Sequence, residues 1–123
     1  MDTDSLFSVL VLREKAAAYL REPRGVVSDA DLRRIAARPP PPVLTRPGVC
    51  GCGVTYRGRA IAPEVAPSLQ WLANTHAQSH AALVIDGRDH DEGDAWRLTA
   101  LLCRAEPSNS QRLEEIVRGP SQK

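Results

Sequence analysis

Apolar residues recur every three or four positions near the start of the chain, and this spacing predicts an amphipathic helix over residues 4–22. The apolar positions of this helix are Leu6, Val9, Leu10, Tyr19 and Leu20. A break at 23–25 follows, after which Ser28 is suited to cap a short second helix that extends to residue 38. The first 38 residues therefore predict a helical pair.

The pattern changes after this pair. Residues 39–42 are four consecutive prolines, which favour an extended, stiff backbone. Residues 43–61 are rich in glycine, valine and threonine with turn residues between them, and this composition predicts a small β-hairpin. We expect a proline-rich spacer over 39–49 and short strands after it.

The second half of the chain again has helical spacing. One helix is predicted from the prolines at 63 or 67 to residue 82, followed by a short strand at 83–85. An exposed acidic turn over 86–94 leads into a helix over 94–104. A last helix, capped by Ser108 or Asn109, completes the chain.

Together these elements predict an α+β fold that is mostly helical. A helical pair over 1–38 comes first, the spacer over 39–49 second, and a zinc-stabilised unit over 50–118 third, in which a short zinc-bound β-hairpin packs on a helix ahead of two C-terminal helices. A length of 123 residues also suits a single domain overall.

Charge and cysteine content limit which partners and which cellular compartment suit the chain. The formal net charge is +1, from 16 basic and 15 acidic residues, so no overall field draws the chain to nucleic acid or to a membrane. The most apolar run, 6–12, is far shorter than the roughly 20 residues of a membrane span. An odd count of three cysteines argues against a disulfide framework. We expect a cytoplasmic protein.

The helix after residue 67 carries two histidines on its apolar stripe. The stripe consists of Val65, Leu69, Leu72, His76, His80 and Leu83. Both imidazoles are therefore expected to point inward, where a polar group without a partner costs about 1–3 kcal/mol. Imidazoles four residues apart on a helix can bind one ion together.

Two thiols provide the matching half of this site. Cys50 and Cys52 are separated by a glycine, which permits the tight turn that lets both sulfurs face one ion. Two thiolates and two imidazoles form a closed tetrahedral set for zinc, with no position left for water or substrate. The sequence therefore predicts a structural zinc site of Cys50, Cys52, His76 and His80. The alternative is two free thiols beside surface histidines.

The pattern Cys-x-Cys-Gly-x-x-Tyr followed by His-x-x-x-His resembles Cys2His2-type zinc-finger modules, and it is similar to patterns in small proteins of high-GC bacteria and their phages. The resemblance covers residues 50–80 and implies a hairpin and a helix joined by zinc. The cysteine spacing is narrower than in ordinary fingers, and the gap from Cys52 to His76 is about twice theirs.

Other candidate chemistry is sparse. Cys103 lies in a helical apolar pattern and is interpreted as a buried small residue, with a spare metal ligand as the alternative. The acidic turn 86–94 lacks the register of an EF-hand and is interpreted as solvated, with calcium binding left open. No nucleophile set, Walker loop or dinucleotide fingerprint is present. A binding or regulatory role is favoured over an enzyme that would use His76, His80, His90 and this turn.

Two kinds of partner fit the remaining residues. The segment around the cysteines carries basic and aromatic side chains that could grip phosphates or simply keep a hairpin soluble: Arg46, Tyr56, Arg57 and Arg59. A zinc-bound accessory or regulatory protein that contacts DNA or RNA is the first hypothesis. The second is an adaptor that docks on a protein, or on a second copy of the chain, through Leu6, Leu10 and Tyr19.

Overall fold

Five helices form the body of the protein. The structure, a computed structural model, describes residues 9–39, 47–49, 55–57 and 69–118. The helices are α1 (Val9–Arg21), α2 (Asp29–Ala36), α3 (Gln70–Asp86), α4 (Glu92–Arg104) and α5 (Pro107–Arg118). Two three-residue segments, β1 (Pro47–Val49) and β2 (Thr55–Arg57), pair in antiparallel register.

The predicted α+β fold class is wrong, because the described molecule is helical. Every residue of its described hydrophobic core lies in a helix or in the short connections before α2 and α3. The expected zinc-bound β-hairpin packed on a helix does not form a layer of this body. The composition of 43–61 suggests strands, and two three-residue strands do pair there, but the leucines and alanines that fill the described core lie on helices.

The strand predicted at 83–85 is also wrong, since α3 continues through it to Asp86. Leu83 is buried on the helix, whereas Val84 and Ile85 are exposed. Gly87 ends α3 in the left-handed conformation, with φ of 75°, and its N–H reaches the carbonyls of Leu83 and Val84. A short apolar run with β-branched residues fits either element, and the glycine cap decides for the helix.

The other helix boundaries follow local chemistry. Ser28 caps α2 as predicted, because its hydroxyl accepts from the N–H of Asp31 at 3.2 Å. The last helix begins at Pro107, ahead of the predicted caps, since proline suits the first helical position. Residues 1–8, which include Leu6, lie outside the described ranges, so the predicted start of the first helix is not tested.

Helix α4 is the centre of the packing. It contacts α1, α2, α3 and α5, and α1 also packs on α5. Its Trp96 is the largest fully buried side chain among the described residues, and Leu98 and Ala100 are buried beside it. Both N-terminal helices thus pack on the C-terminal ones. The proposed division into 1–38, 39–49 and 50–118 stays a prediction, because most of the spacer lies outside the described ranges.

Helix length sets a limit on membrane contact. The longest described helix, α3, has 17 residues and spans about 25 Å. It also carries buried histidines and a serine along its length. Within the described residues no helix has the length and apolar character that crossing a bilayer requires.

The buried carboxylate of Asp94 joins the α1–α2 connection to the first turn of α4. It is fully buried and accepts from the backbone N–H of Val26 at 3.3 Å, Val27 at 3.0 Å and Asp91 at 2.9 Å. Its ion pair with Arg97 is 3.2 Å long. Asp91 is the N-cap of α4, and its carboxylate accepts from the backbone N–H of Asp94.

Two glycines permit this junction. A Cβ at Gly25 would lie 1.9 Å from Oδ1 of Asp94, and one at Gly93 would lie 2.0 Å from the carbonyl oxygen of Arg24. Both distances are shorter than atoms tolerate, so the α1–α2 connection can approach α4 only because neither residue has a side chain.

Removing the Asp94 carboxylate should destabilise the whole fold. We expect Asp94→Ala to lower the free energy of unfolding by about 3–5 kcal/mol, because it leaves Arg97 and three backbone N–H groups without their shared acceptor. Asp94→Asn should cost less, since the amide still accepts through its oxygen. The measurement is urea denaturation, with exposed Asp89→Asn as control, expected within about 0.5 kcal/mol of wild type. Equal stability of Asp94→Ala and wild type would contradict this role.

Candidate metal centre

The inward stripe predicted for the third helix is present. Among its described members, Leu69, Leu72, His76, His80 and Leu83 are all buried. The exposed fraction is 0% for His76 and 1% for His80. The prediction that both imidazoles point inward is confirmed. Val65, the first residue of the stripe, lies outside the described ranges.

The ring of His76 is held between α3 and α4. It stacks on the indole of Trp96 with 3.8 Å between ring centroids and 10° between planes. Its Nδ1 atom lies 3.1 Å from the hydroxyl oxygen of Thr99. The stacking contact holds the face of the ring and the contact with Thr99 holds its edge, so α4 fixes the orientation of the ring.

The protons available to this cluster decide the tautomer of His76. Four short contacts link the group: His76 Nδ1 to Thr99, Thr99 to Ser79, Thr99 to the carbonyl of Ala95, and Ser79 to the carbonyl of Thr75. The two hydroxyls supply two protons. A proton on Nδ1 supplies a third, so three contacts become hydrogen bonds instead of two. We therefore assign the neutral ring with its proton on Nδ1 and its lone pair on Nε2.

His80 lies one turn further along α3 and close to His90. The ring centroids of His80 and His90 are 6.4 Å apart, with 67° between the planes. Nδ1 of His90 lies 3.0 Å from the carbonyl oxygen of Arg88. Three imidazoles, the whole histidine content of the chain, therefore lie along one side of α3 and the turn that follows it.

Burial keeps two of these rings neutral. The pKa of His76 is lowered to about 3, first by burial and then by repulsion from protonated His80 and from Lys15. The pKa of His80 is lowered to about 4, first by burial and then by His90. Neutral imidazole is the form that binds metal ions. At neutral pH both side chains are therefore in the state that a zinc site needs.

The thiol half of the predicted site is not described. Cys50 and Cys52 lie outside the described ranges, so nothing tests whether they approach His76 and His80. Within those ranges, no three histidine, cysteine or acidic side chains converge as metal ligands do. The zinc site therefore stays a prediction, of which the described residues supply the two buried imidazoles.

The predicted partner surfaces are described only in part. Arg46 and Arg59 lie outside the described ranges, and for Tyr56 and Arg57 only the backbone of β2 is described. Leu10 belongs to α1 but its side chain is likewise not described. Tyr19 is half-buried, and its hydroxyl donates to Glu92 over 3.2 Å.

The inward face of α1 includes residues that the apolar stripe did not single out. Leu12, Ala16 and Ala17 are buried against the other helices. Alanine is a weak hydrophobic signal in a sequence window, so buried alanines are easily missed in an apolar pattern. The continuous alanines at 16–18 were the available clue.

The interpretation of Cys103 as a buried small residue is confirmed. It is 1% exposed, and burial raises the pKa of its thiol to about 11. The acidic turn, by contrast, is not simply solvated. Asp94 is fully buried, and Asp86 receives ion pairs from Arg34, Arg38 and Arg88. These carboxylates are occupied by backbone donors and arginines, as structural carboxylates are.

No family model matches the chain, and no curated protein or solved structure is significantly similar to it. Its candidate site must therefore be judged on the residues and contacts just described.

The buried histidines should make the metal-free protein sensitive to mild acid. Their pKa values in the folded state lie below the ordinary 6.5, so the unfolded chain takes up protons first as pH falls. The contribution of the neutral histidines to the free energy of unfolding is therefore full above about pH 6.5, and it decreases as the pH falls toward 4. His76 alone contributes a slope of about 1.4 kcal/mol per pH unit in the steep part of that range.

The measurement is urea denaturation with a chelator present at several pH values between about 4 and 7.5. His76→Asn keeps a donor near Thr99 and has no titrating ring, so its slope should be shallower although its overall stability is lower. Parallel pH curves for the variant and the wild type would show that the ring is not held neutral.

Proposed function

We propose that the chain is a small zinc-stabilised accessory or regulatory module that contacts nucleic acid, and not an enzyme. The observation that carries this proposal is the pair of enclosed, neutral imidazoles four residues apart on α3. Burying such groups costs free energy, which a shared metal ion would more than offset.

The contacts of His76 support a role as a ligand. Metal-binding histidines usually donate the second ring N–H to a fixed acceptor, which sets the tautomer and the ring direction. Thr99 provides that acceptor here, on a neighbouring helix. Cys50 and Cys52 would complete the ligand set with His76 and His80. Zinc would then join the cysteine segment to α3 and leave no open position for a substrate.

The proposed partner follows from local charge. Between residues 39 and 62 the chain has Arg46, Arg57 and Arg59 but no acidic residue, with Tyr56 among them. A small basic segment with an aromatic side chain suits phosphate and base contacts. We also propose a cytoplasmic setting, because thiolate ligands persist in a reducing compartment.

The adaptor alternative has less support in the described helices. It requires α1 to present its apolar face to a partner. Of its three residues, Leu6 lies outside the described ranges, the side chain of Leu10 is not described, and Tyr19 is half-buried and donates to Glu92. The nucleic-acid hypothesis does not require Tyr19 to leave this contact.

Metal content tests the zinc proposal directly. Protein purified without added metal should contain about one zinc per chain, and Cys52→Ser should lose it because three ligands bind far more weakly than four. Cys103→Ser is the matched control: it removes a thiol that is buried in the helical core, and it should keep its zinc. Wild type without zinc, or Cys52→Ser with a full equivalent, would contradict the proposal.

Salt dependence tests the nucleic-acid contact. The wild-type affinity for a mixed-sequence duplex should fall with salt at a slope of roughly −2 to −3 on logarithmic axes, as about three phosphate contacts require. Arg57→Ala with Arg59→Ala should reduce that slope by about 2. The control pair Arg13→Ala and Arg33→Ala, on exposed helical positions, should leave it unchanged. An affinity that changes neither with salt nor on substitution of Arg57 would contradict the hypothesis.

A further inference from the structure

A cavity of about 250 Å³ is lined by residues of α1, α2 and α4 and of the connection between the first two helices. Its described lining residues include none of the proposed zinc ligands and none of the proposed nucleic-acid contacts. The volume is slightly below the roughly 300–1,000 Å³ of pockets that hold drug-sized ligands. A molecule that fills this cavity is therefore small.

The walls of the cavity are apolar. Leu32 of α2 and Ala100 of α4 are buried, and Leu20 and Leu101 are partly buried against the same core. An apolar group placed among these side chains would remove hydrocarbon surface from water, which is favourable in proportion to the area covered. The walls therefore favour a ligand with an apolar body over a bare inorganic ion.

Basic side chains predominate among the charged residues of the cavity. Three arginines and one aspartate line it: Arg33, Arg97, Arg104 and Asp29. The side chain of Arg33 is exposed and makes no hydrogen bond or ion pair with another described residue. Arg104 pairs with Glu114 over 3.2 Å, but both side chains are about half exposed, and such pairs are weak in water. Because a guanidinium binds a carboxylate through two parallel N–H groups, Arg33 and Arg104 leave donors that an anionic ligand can use.

Asp29 already places a carboxylate against an arginine of this cavity. Its side chain is 73% exposed and pairs with Nη2 of Arg97. Nη1 of Arg97 donates to the carbonyl of Val27 at 3.0 Å and to Asp94 at 3.2 Å, so the guanidinium is held in place. An exposed aspartate leaves such a contact at little cost, whereas the arginine stays. Asp29 is therefore a built-in competitor for a carboxylate that enters the cavity.

We propose that the cavity binds a small free carboxylic acid with an apolar body, of roughly ten non-hydrogen atoms in all. Such an acid is ionised at neutral pH, so its carboxylate would pair with the arginines while its apolar body lies against Leu32 and Ala100. The bound acid would join α2 to α4. A nucleic acid is not the occupant, because its charges follow a long backbone that a cavity of this size cannot enclose. The inference therefore does not rest on the proposed function.

The test titrates the full chain with phenylacetate, a carboxylate of the proposed size. Binding is followed by backbone ¹H–¹⁵N NMR signals, and those of Ala100 and Leu101 should be among the signals that move. We expect saturation with a Kd of about 1 mM or lower, as suits a ligand of this size. Phenylacetamide keeps the shape without the charge, and acetate keeps the charge without the ring. Each should bind at least about tenfold more weakly.

Substitutions at the cavity should change the affinity in opposite directions. Arg33→Gln and Arg104→Gln should each weaken phenylacetate binding about fivefold, because each removes a charged donor. Arg13→Gln is the matched control, since Arg13 is also exposed but does not line the cavity, and it should bind as wild type does. Asp29→Asn should bind about threefold more tightly, because the competing charge is gone. General damage to the fold would not strengthen binding.

Three results would overturn the inference. One is the absence of saturation at concentrations well above that Kd. Another is equal affinity for phenylacetate and phenylacetamide, which would leave the arginines without a role. The third is an affinity that none of Arg33→Gln, Arg104→Gln and Asp29→Asn changes, which would place the ligand elsewhere. The substituted side chains are all exposed, so these variants should keep the fold, and far-ultraviolet circular dichroism checks this.

Discussion

The Asp94 carboxylate is the contact on which the helical body depends. A charge without exposure is costly unless donors surround it, and Asp94 has three backbone N–H groups and the Arg97 guanidinium. Two of those N–H groups belong to residues 26 and 27, which are far from α4 in sequence. The carboxylate thereby holds the connection between α1 and α2 against the first turn of α4. Gly25 and Gly93 make the close approach possible.

This junction also determines how the histidines are held. With its first turn anchored, α4 presents Trp96 and Thr99 to α3, where they stack on and hydrogen-bond to His76. The fold and the candidate site therefore share one helix. Trp96 lies two residues after Asp94, so a disturbance of the first turn of α4 would displace its ring. The orientation of His76, which stacks on that ring, would then change too.

Sequence patterns predict the helices well because each depends on local chemistry. The cap at Ser28 and the inward stripe of α3 can each be recognised from a short stretch of sequence. The role of Asp94 could not be predicted, because its donors at 26 and 27 lie more than 60 positions away. An acidic cluster suggests solvent exposure, and only tertiary contact shows that one member is buried. The fold class failed for a similar reason, since the composition of one segment says nothing about which segments supply the core.

The protonation state needed for packing is the same one needed for metal binding. Burial lowers the pKa of His76 to about 3, so the ring that stacks on Trp96 is neutral at neutral pH, and a neutral ring with its proton on Nδ1 offers Nε2 to a metal. Protonation of the imidazoles therefore disfavours both the helix packing and the binding of a metal ion. Metal binding and helix packing are linked in this way. If zinc binds, part of its affinity is already provided by α4, because Thr99 selects the tautomer before any ion arrives.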